Sequence, residues 1–251
     1  MTAKILTWDV ESYPLEAFAW SLWDKNIPLA MMKTPGRISC FAAKWHGART
    51  VMFFAEWQEG GHEGMVRKAH NLLDEADISV TFNGKKYDVP RMNRELVRLG
   101  LNPPSPRKEV DLYQVVARSM KFQSNRLAYV AAELGLAEQK GSNEGFGLWR
   151  KCMAGDAKAQ AAMARYCKQD VRTAEALYDR LLPWVPSHPH LGLYTDDDNP
   201  VCGQCGKAGA FQRRGFSVTA LGRYQRYQCQ GCGTWSRGKK AVKYVEERAI
   251  R

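Results

Sequence analysis

The sequence predicts an α/β protein, a mixed β-sheet flanked by helices, followed by a small cysteine-bearing module at its C-terminal end. Three observations predict it. Apolar runs of strand type crowd the first 57 residues, helical periods alternate with short β-rich runs from residue 62 onward, and the last fifth of the chain holds two C-x-x-C pairs.

Taken in order, the first strand candidate is Lys4–Val10, followed by FAWSLWDKNIPLAMM, an aromatic stretch without a clear period. Its Phe18, Trp20 and Trp23 are read as core or lid packing, with stacking on an unpaired base as the alternative. RISCFAAKWH and ARTVMFFAEW read as two more strands joined by the turn HGAR, giving an antiparallel meander. HEGMVRKAHNLLDEA has helical spacing, ISVTFN is a short strand, and PRMNRELVRLG opens with Pro90 and stops at Gly100, as helices do. VDLYQVVARSM, NRLAYVAAELGL and DAKAQAAMARYCKQDVRTAEALYDRLL read as amphipathic helices. PWVPSHPHLGLYTDDDNP, with four prolines and an acidic triplet, breaks that pattern. Residues 1–185 are therefore expected to form one domain, 186–200 a linker and 201–251 a second, basic domain.

At 251 residues, 45% of them hydrophobic and 25% charged, the chain can bury one good-sized core plus a small appendage. No run approaches the roughly 20 apolar residues of a membrane span, and the N-terminus lacks a secretory pattern. A cytoplasmic protein without membrane contact is expected. Cys40, Cys152 and Cys167 are scattered and read as buried thiols, while His46, His62 and His70 share no ligand spacing and default to the surface.

The run ILTWDVESYP carries Asp9 and Glu11 inside an apolar strand. Residues i and i+2 project from one strand face, so these carboxylates point together while Trp8 and Val10 point the other way. Two such charges repel unless a cation lies between them, and Mg²⁺ or Mn²⁺ takes oxygen ligands. A strand end with both acids in solvent is the alternative. Further on, TFNGKKYDVPRM sets Asp88 at a helix start, where N-capping would also suit an acid, and Asn83-Gly84 in what could be a turn. RYCKQDVRTAEALY places Tyr166 and Asp170 four residues apart on one helix face.

WDVESYP, NGKKYDVPRM and YCKQD, in this order, resemble the three motifs of the DEDD 3′–5′ exonucleases on a ribonuclease H-like fold. The last, Y-x-x-x-D, matches their tyrosine subclass, and Arg165 stands where the histidine subclass places its base. The resemblance spans about residues 4–182 and is greatest to the proofreading domain of family B DNA polymerases, including VDLYQ and NRLAYVAAELGL between the second and third motifs. It implies that Asp9, Glu11 and Asp170 hold one metal ion, that Asp9 bridges to a second which Asp88 positions through water, and that Tyr166 orients the attacking water. It also implies that Asn83 and Gly84 let the backbone approach the terminal nucleotide.

From Asn199 to Arg251 there are eleven Lys and Arg against two acids, a net +9 of the chain's +11. Such a block suits a polyanion, or else a solubilising tail. Cys202, Cys205, Cys229 and Cys232 sit in CGQC and CQGC, 23 residues apart, the spacing of a four-cysteine Zn²⁺ ribbon, with Gly203, Gly206, Gly231 and Gly233 suited to knuckle turns. The module resembles zinc ribbons of transposase-associated and other nucleic-acid-binding proteins. Arg213, Arg214, Arg223, Arg226, Arg237, Lys239 and Lys240, interleaved with Tyr224, Tyr227 and Trp235, offer charge for phosphates and rings for bases, unless the ribbon contacts protein.

These readings converge on a stand-alone, monomeric 3′–5′ exonuclease that uses two Mg²⁺ or Mn²⁺ ions and a structural Zn²⁺ ribbon. Its expected substrate is nucleic acid, DNA over RNA, and any proofreading needs a replication or repair protein as partner. The alternatives are a structure-selective endonuclease or RNA-processing ribonuclease on the same site, or a non-catalytic recruitment protein.

Overall fold

A computed structural model describes residues 2–23, 26–138, 144–196 and 199–247. It divides into two compact units, Lys4–Tyr178 and Asp179–Arg251 with Met1–Ala3. Asp197 and Asp198 of the acidic triplet, and Arg248 and Arg251 of the basic block, lie outside the described residues.

The larger unit is built on a five-stranded mixed sheet. Strand β1 (Ile5–Tyr13) leads to a two-stranded excursion of β2 (Glu16–Ala17) and β3 (Met32–Thr34), then to β4 (Arg37–Trp45) and β5 (Met52–Ala55). Helix α1 (Gly61–Glu75), strand β6 (Ile78–Thr81), helix α2 (Asp88–Arg98), strand β7 (Lys108–Asp111) and helices α3 (Leu112–Ser119), α4 (Leu127–Glu133), α5 (Phe146–Met153) and α6 (Ala157–Leu181) follow. The sheet order is β5-β4-β1-β6-β7. The meander β1, β4 and β5 is antiparallel, as its turn chemistry predicts, and β1, β6 and β7 are parallel.

Because β1 is covered on both faces, its alternation separates two cores. Leu6, Trp8 and Val10 pack with Met65, Val66, Leu73, Met92 and Leu96 of α1 and α2. Tyr13, Cys40 and Ala42 pack on the opposite side with Leu148, Cys152, Met163, Cys167 and Val171 of α5 and α6. Asp9 and Glu11 share the α6 side. The β1–β4 register slips right after Glu11, which faces Cys40 while Ser12 faces Ile38, so Ser39 is bulged and its hydroxyl donates to the Glu11 carbonyl at 3.0 Å.

Several expectations change. Val110 and Asp111 of the expected helix VDLYQVVARSM end strand β7, and the Asp111 side chain caps α3 by accepting from Tyr113 N at 3.0 Å. Helix α5 was not foreseen, because its eight residues follow a polar, glycine-containing stretch. The rings of Phe18, Trp20 and Trp23 are 68%, 90% and 87% exposed, which overturns the core reading. A stretch without a period defines no buried face.

Of the histidines, His46 is exposed as expected, while His62 and His70 are half-buried. The His46 ring lies edge-on to Tyr178, with 5.5 Å between centroids, and Glu175 joins Lys44 in an ion pair while accepting from Gly47 N at 3.0 Å. His62 lies between Glu56 and Glu95, at 3.7 and 3.4 Å. Glu56 also accepts two bonds from Arg37, and buried Glu95 accepts two from Arg94. The Glu56 carboxylate, ahead of the opposing effect of burial and helped by Glu95, raises the His62 pKa above 6.5. The folded state therefore binds this proton more tightly than the unfolded chain. The stabilisation is fully present below about pH 6.5 and fades as pH rises through the folded pKa. In urea titrations, the stability gap between wild type and His62→Gln should be widest near pH 6 and shrink towards pH 9; a gap that widens with pH would contradict this pairing.

In the smaller unit, β8 (Phe211–Val218), β9 (Gly222–Cys229) and β10 (Trp235–Tyr244) form an antiparallel sheet in the order β10-β9-β8. The stretch expected to be a linker contains a short 3₁₀ turn at Leu191–Tyr194, whose Leu191 N donates to Gly203 O at 2.7 Å. Gln204 Nε2 donates to Val185 O at 3.0 Å, so the module's hydrogen bonds reach upstream of residue 201.

Candidate active site

Strand β1 pairs with β6 only from Ile5 to Thr7, opposite Ile78 to Val80. Asp9 and Glu11 consequently lie past the carboxyl end of β6, where parallel strands leave a crevice. Helix α6 brings buried Asp170 to them, and one carboxylate oxygen from each of the three lies within 4.8 Å of the others. Three oxygen donors this close repel one another and suit a hard divalent cation such as Mg²⁺ or Mn²⁺. Tyr166, one turn before Asp170, is half-buried and sets its ring edge-on to Trp149, 6.2 Å between centroids.

Asp88 stands outside this tight trio. It opens α2, but its carboxylate reaches across to accept from Val10 N at 3.4 Å, the residue between Asp9 and Glu11. Burial raises its pKa to about 6, against the lowering effects of that hydrogen bond and of Arg91.

The loop between β6 and α2 is held by a residue that sequence reasoning passed over. Asp111 is buried at the end of β7 and accepts from Asn83 N at 2.8 Å and Lys85 N at 3.2 Å. An acid closing an apolar strand, as in KEVD, was the available signal. Asn83 adopts a positive φ of 66°. A Cβ on Gly84 would sit 2.4 Å from both Cβ and Oγ1 of Thr81, itself buried. Gly84→Ala should therefore displace the loop and destabilise the unit by about 1–3 kcal/mol. A chemical-denaturation midpoint matching wild type would refute that.

Next to the acids lies a cavity of about 530 Å³ whose lining includes Trp8, Asp9, Asn83, Asn125, Arg126 and Asp170. Phe82 and Tyr113, edge to face at 5.9 Å, form part of its wall. The buried Oδ1 of Asn125 has no hydrogen-bond partner among the described residues.

In the smaller unit the four cysteine sulfurs also lie within 4.8 Å of one another, with Cys202–Cys232 and Cys205–Cys229 both at 3.7 Å. A tetrahedral ion with bonds of about 2.3 Å would space its sulfurs about 3.8 Å apart. No disulfide joins them, and they fit Zn²⁺. The two knuckles repeat one geometry: Gly206 N donates to Cys202 O and Gly233 N to Cys229 O, each at 2.9 Å, with φ of 70° and 80° at the glycines. Burial would raise the Cys229 thiol, but the backbone amides of Cys232 and Gly231, together with hydrogen bonds to Cys202 and Cys205, bring the pKa down to about 7.

The basic residues of this sheet are organised by its rings. Arg226 and Arg214 lie 4.7 and 5.8 Å from the Trp235 ring centre, Arg223 lies 4.5 Å from Phe216, and Arg237 lies 4.3 Å from Tyr224. Tyr227 packs edge-on to Phe211, while Arg213 and Lys239 are exposed. Two of the three rings expected to receive bases, Tyr224 and Trp235, thus carry guanidinium groups.

The family model RNase_H_2, described as RNase_H superfamily, matches residues 33–182, a stretch that begins after β1. The fold is also that of a segment of the family B DNA polymerase from the hyperthermophilic archaeon Pyrobaculum calidifontis, with a TM-score of 0.54 at 20% identity. That match covers 72% of this chain, which spans 25% of the polymerase's length. No curated protein matches the sequence. Among the described residues, no helix is long and apolar enough to cross a membrane.

Proposed function

This chain belongs to the RNase_H superfamily, and from that premise we propose that it is a metal-dependent nuclease that releases nucleotides from the 3′ end of DNA. The observation that carries the reading is the convergence of Asp9, Glu11 and Asp170 from one strand and one helix.

In this reading Asp9, Glu11 and Asp170 would hold a Mg²⁺ or Mn²⁺ ion, with Asp9 and Asp88 helping to hold a second. Such ions would supply Lewis-acid stabilisation of the attacking and leaving oxygens of an in-line displacement at phosphorus. Tyr166 orients the attacking water through its hydroxyl. Asn83 and Gly84, fixed by Asp111, present backbone to the terminal nucleotide. The cysteine module, folded around Zn²⁺, holds phosphates with Arg213, Arg214, Arg223 and Arg226, while Tyr227 and Trp235 support that surface. DNA is favoured over RNA because the three motifs resemble those of polymerase proofreading domains, and 3′–5′ polarity follows from the same resemblance. The protein acts as a monomer, and proofreading would require a replication or repair protein as partner.

Degradation of 5′-labelled DNA and RNA 20-mers with Mg²⁺, Mn²⁺ or chelator tests the proposal. A ladder shrinking one nucleotide at a time from the 3′ end of DNA, absent in chelator, is the expected result. Internal cuts would replace it with an endonuclease, preference for RNA with a ribonuclease, and intact substrate with a non-catalytic binder.

A further inference from the structure

The excursion between β1 and β4 leaves large apolar side chains in solvent. Trp20, Leu22, Trp23 and Leu29 are 84–100% exposed, and Phe18 is 68% exposed. The excursion is nonetheless shaped: β2 pairs with β3, and Phe18 N donates to Met31 O at 2.9 Å. Its described charges, Glu16 and Lys33, pair with each other at 3.8 Å. An apolar surface that contributes so little to the core is available for a ligand.

The root of this arm identifies the ligand's chemistry. Pro14 and Leu15 line a cleft of about 640 Å³ together with Arg91, Arg94, Phe146 and Trp149. The cleft begins at Ser12, directly after Glu11, and Trp149 sets its ring against Tyr166, so it adjoins the acid trio and is lined by other residues than the cavity holding Asp9 and Asp170. Arg91 lies over the Tyr87 ring at 5.2 Å, and Arg94 is held by Glu95 at 2.6 Å. Cations therefore stand at the root and uncharged rings continue along the arm. Arginines serve protein interfaces as well; what favours nucleic acid is that the cleft starts next to the acids, where a strand leaving them meets charge for its phosphates first and rings for its bases next.

We propose that the arm formed by residues 15–23 and 26–34 is a stacking platform for the unpaired bases of single-stranded nucleic acid, with Phe18, Trp20 and Trp23 as its rings and Arg91 and Arg94 as the phosphate contacts at its root. The inference rests on the nuclease reading and identifies the strand state of its substrate.

The test is fluorescence anisotropy of the full chain, with Ca²⁺ in place of Mg²⁺ or Mn²⁺, with labelled oligo(dT) 20-mer and with a blunt hairpin duplex of equal nucleotide count. The Trp20→Ala/Trp23→Ala double variant should bind the single strand at least about tenfold more weakly and the duplex as wild type does. Trp20→Phe/Trp23→Phe should keep most of the affinity. Arg91→Ala should instead flatten the slope of log affinity against log salt, by about 0.7. Both rings lie in solvent, and an unchanged melting temperature confirms that the variants are folded. Unchanged single-strand affinity overturns the proposal and leaves the arm to a protein partner, while an equal loss on duplex overturns base stacking. If wild type degrades DNA but the ring variants bind single strands normally, only the arm inference falls. If wild type degrades no nucleic acid with Mn²⁺, the nuclease reading falls, whatever the arm binds.

Discussion

Asp9→Ala should lower metal-dependent hydrolysis by about 10³-fold or more and leave the fold intact. The magnitude follows from the several kcal/mol that a correctly held divalent ion contributes to charge stabilisation in the transition state. The fold survives because the Asp9 side chain belongs to neither core, while its backbone stays in register with Ala42. The apo protein should even melt slightly higher, since one of three mutually repelling carboxylates is gone. Added Mn²⁺, which should raise the wild-type melting temperature by binding the native state, should no longer do so. Hydrolysis at the wild-type rate in the variant would sink the assignment of the site, and a retained Mn²⁺ shift would sink that of the metal.

Cys205→Ser, or removal of metal by a strong chelator, should unfold the cysteine module and spare the Lys4–Tyr178 unit. The module has little else to fold around: its described buried cluster is Cys202, Ala210 and Cys229, with Cys205, Phe211 and Cys232 packed against them. Structural Zn²⁺ contributes about 10–16 kcal/mol in comparable small domains, more than such a core can replace. Elemental analysis should find one zinc per chain. Backbone amide dispersion for residues 211–244 should collapse on chelation, while resonances of the larger unit persist. Zinc-free protein with that dispersion intact would show that the four thiols do not staple the module.

Much of this was legible because it depends on local pattern. The D-x-E spacing put Asp9 and Glu11 on one face, and helical spacing put Tyr166 one turn from Asp170. The meander and the alternation of helix and strand were equally open to inspection. What escaped depends on contacts distant in sequence. Asp111 holds the Asn83 loop from 28 residues away. His62 draws its environment from Glu56 and Glu95, which sit on separate elements. The Arg–aromatic pairs of the cysteine module are cross-strand, so composition supplied the residue types but not the stacking.

The grip of Glu175 on Lys44 and on the Gly47 amide has a consequence for how this fold can vary. It pins α6 to the β4–β5 turn about one and a half helical turns past Asp170, and so indexes that carboxylate against β1. A single alanine inserted between Val171 and Ala174 would set these two anchors out of phase by about 100° and 1.5 Å. The helix would survive, but either the grip or the acid trio would be lost. Length changes between these positions should therefore be forbidden to any descendant that keeps its chemistry.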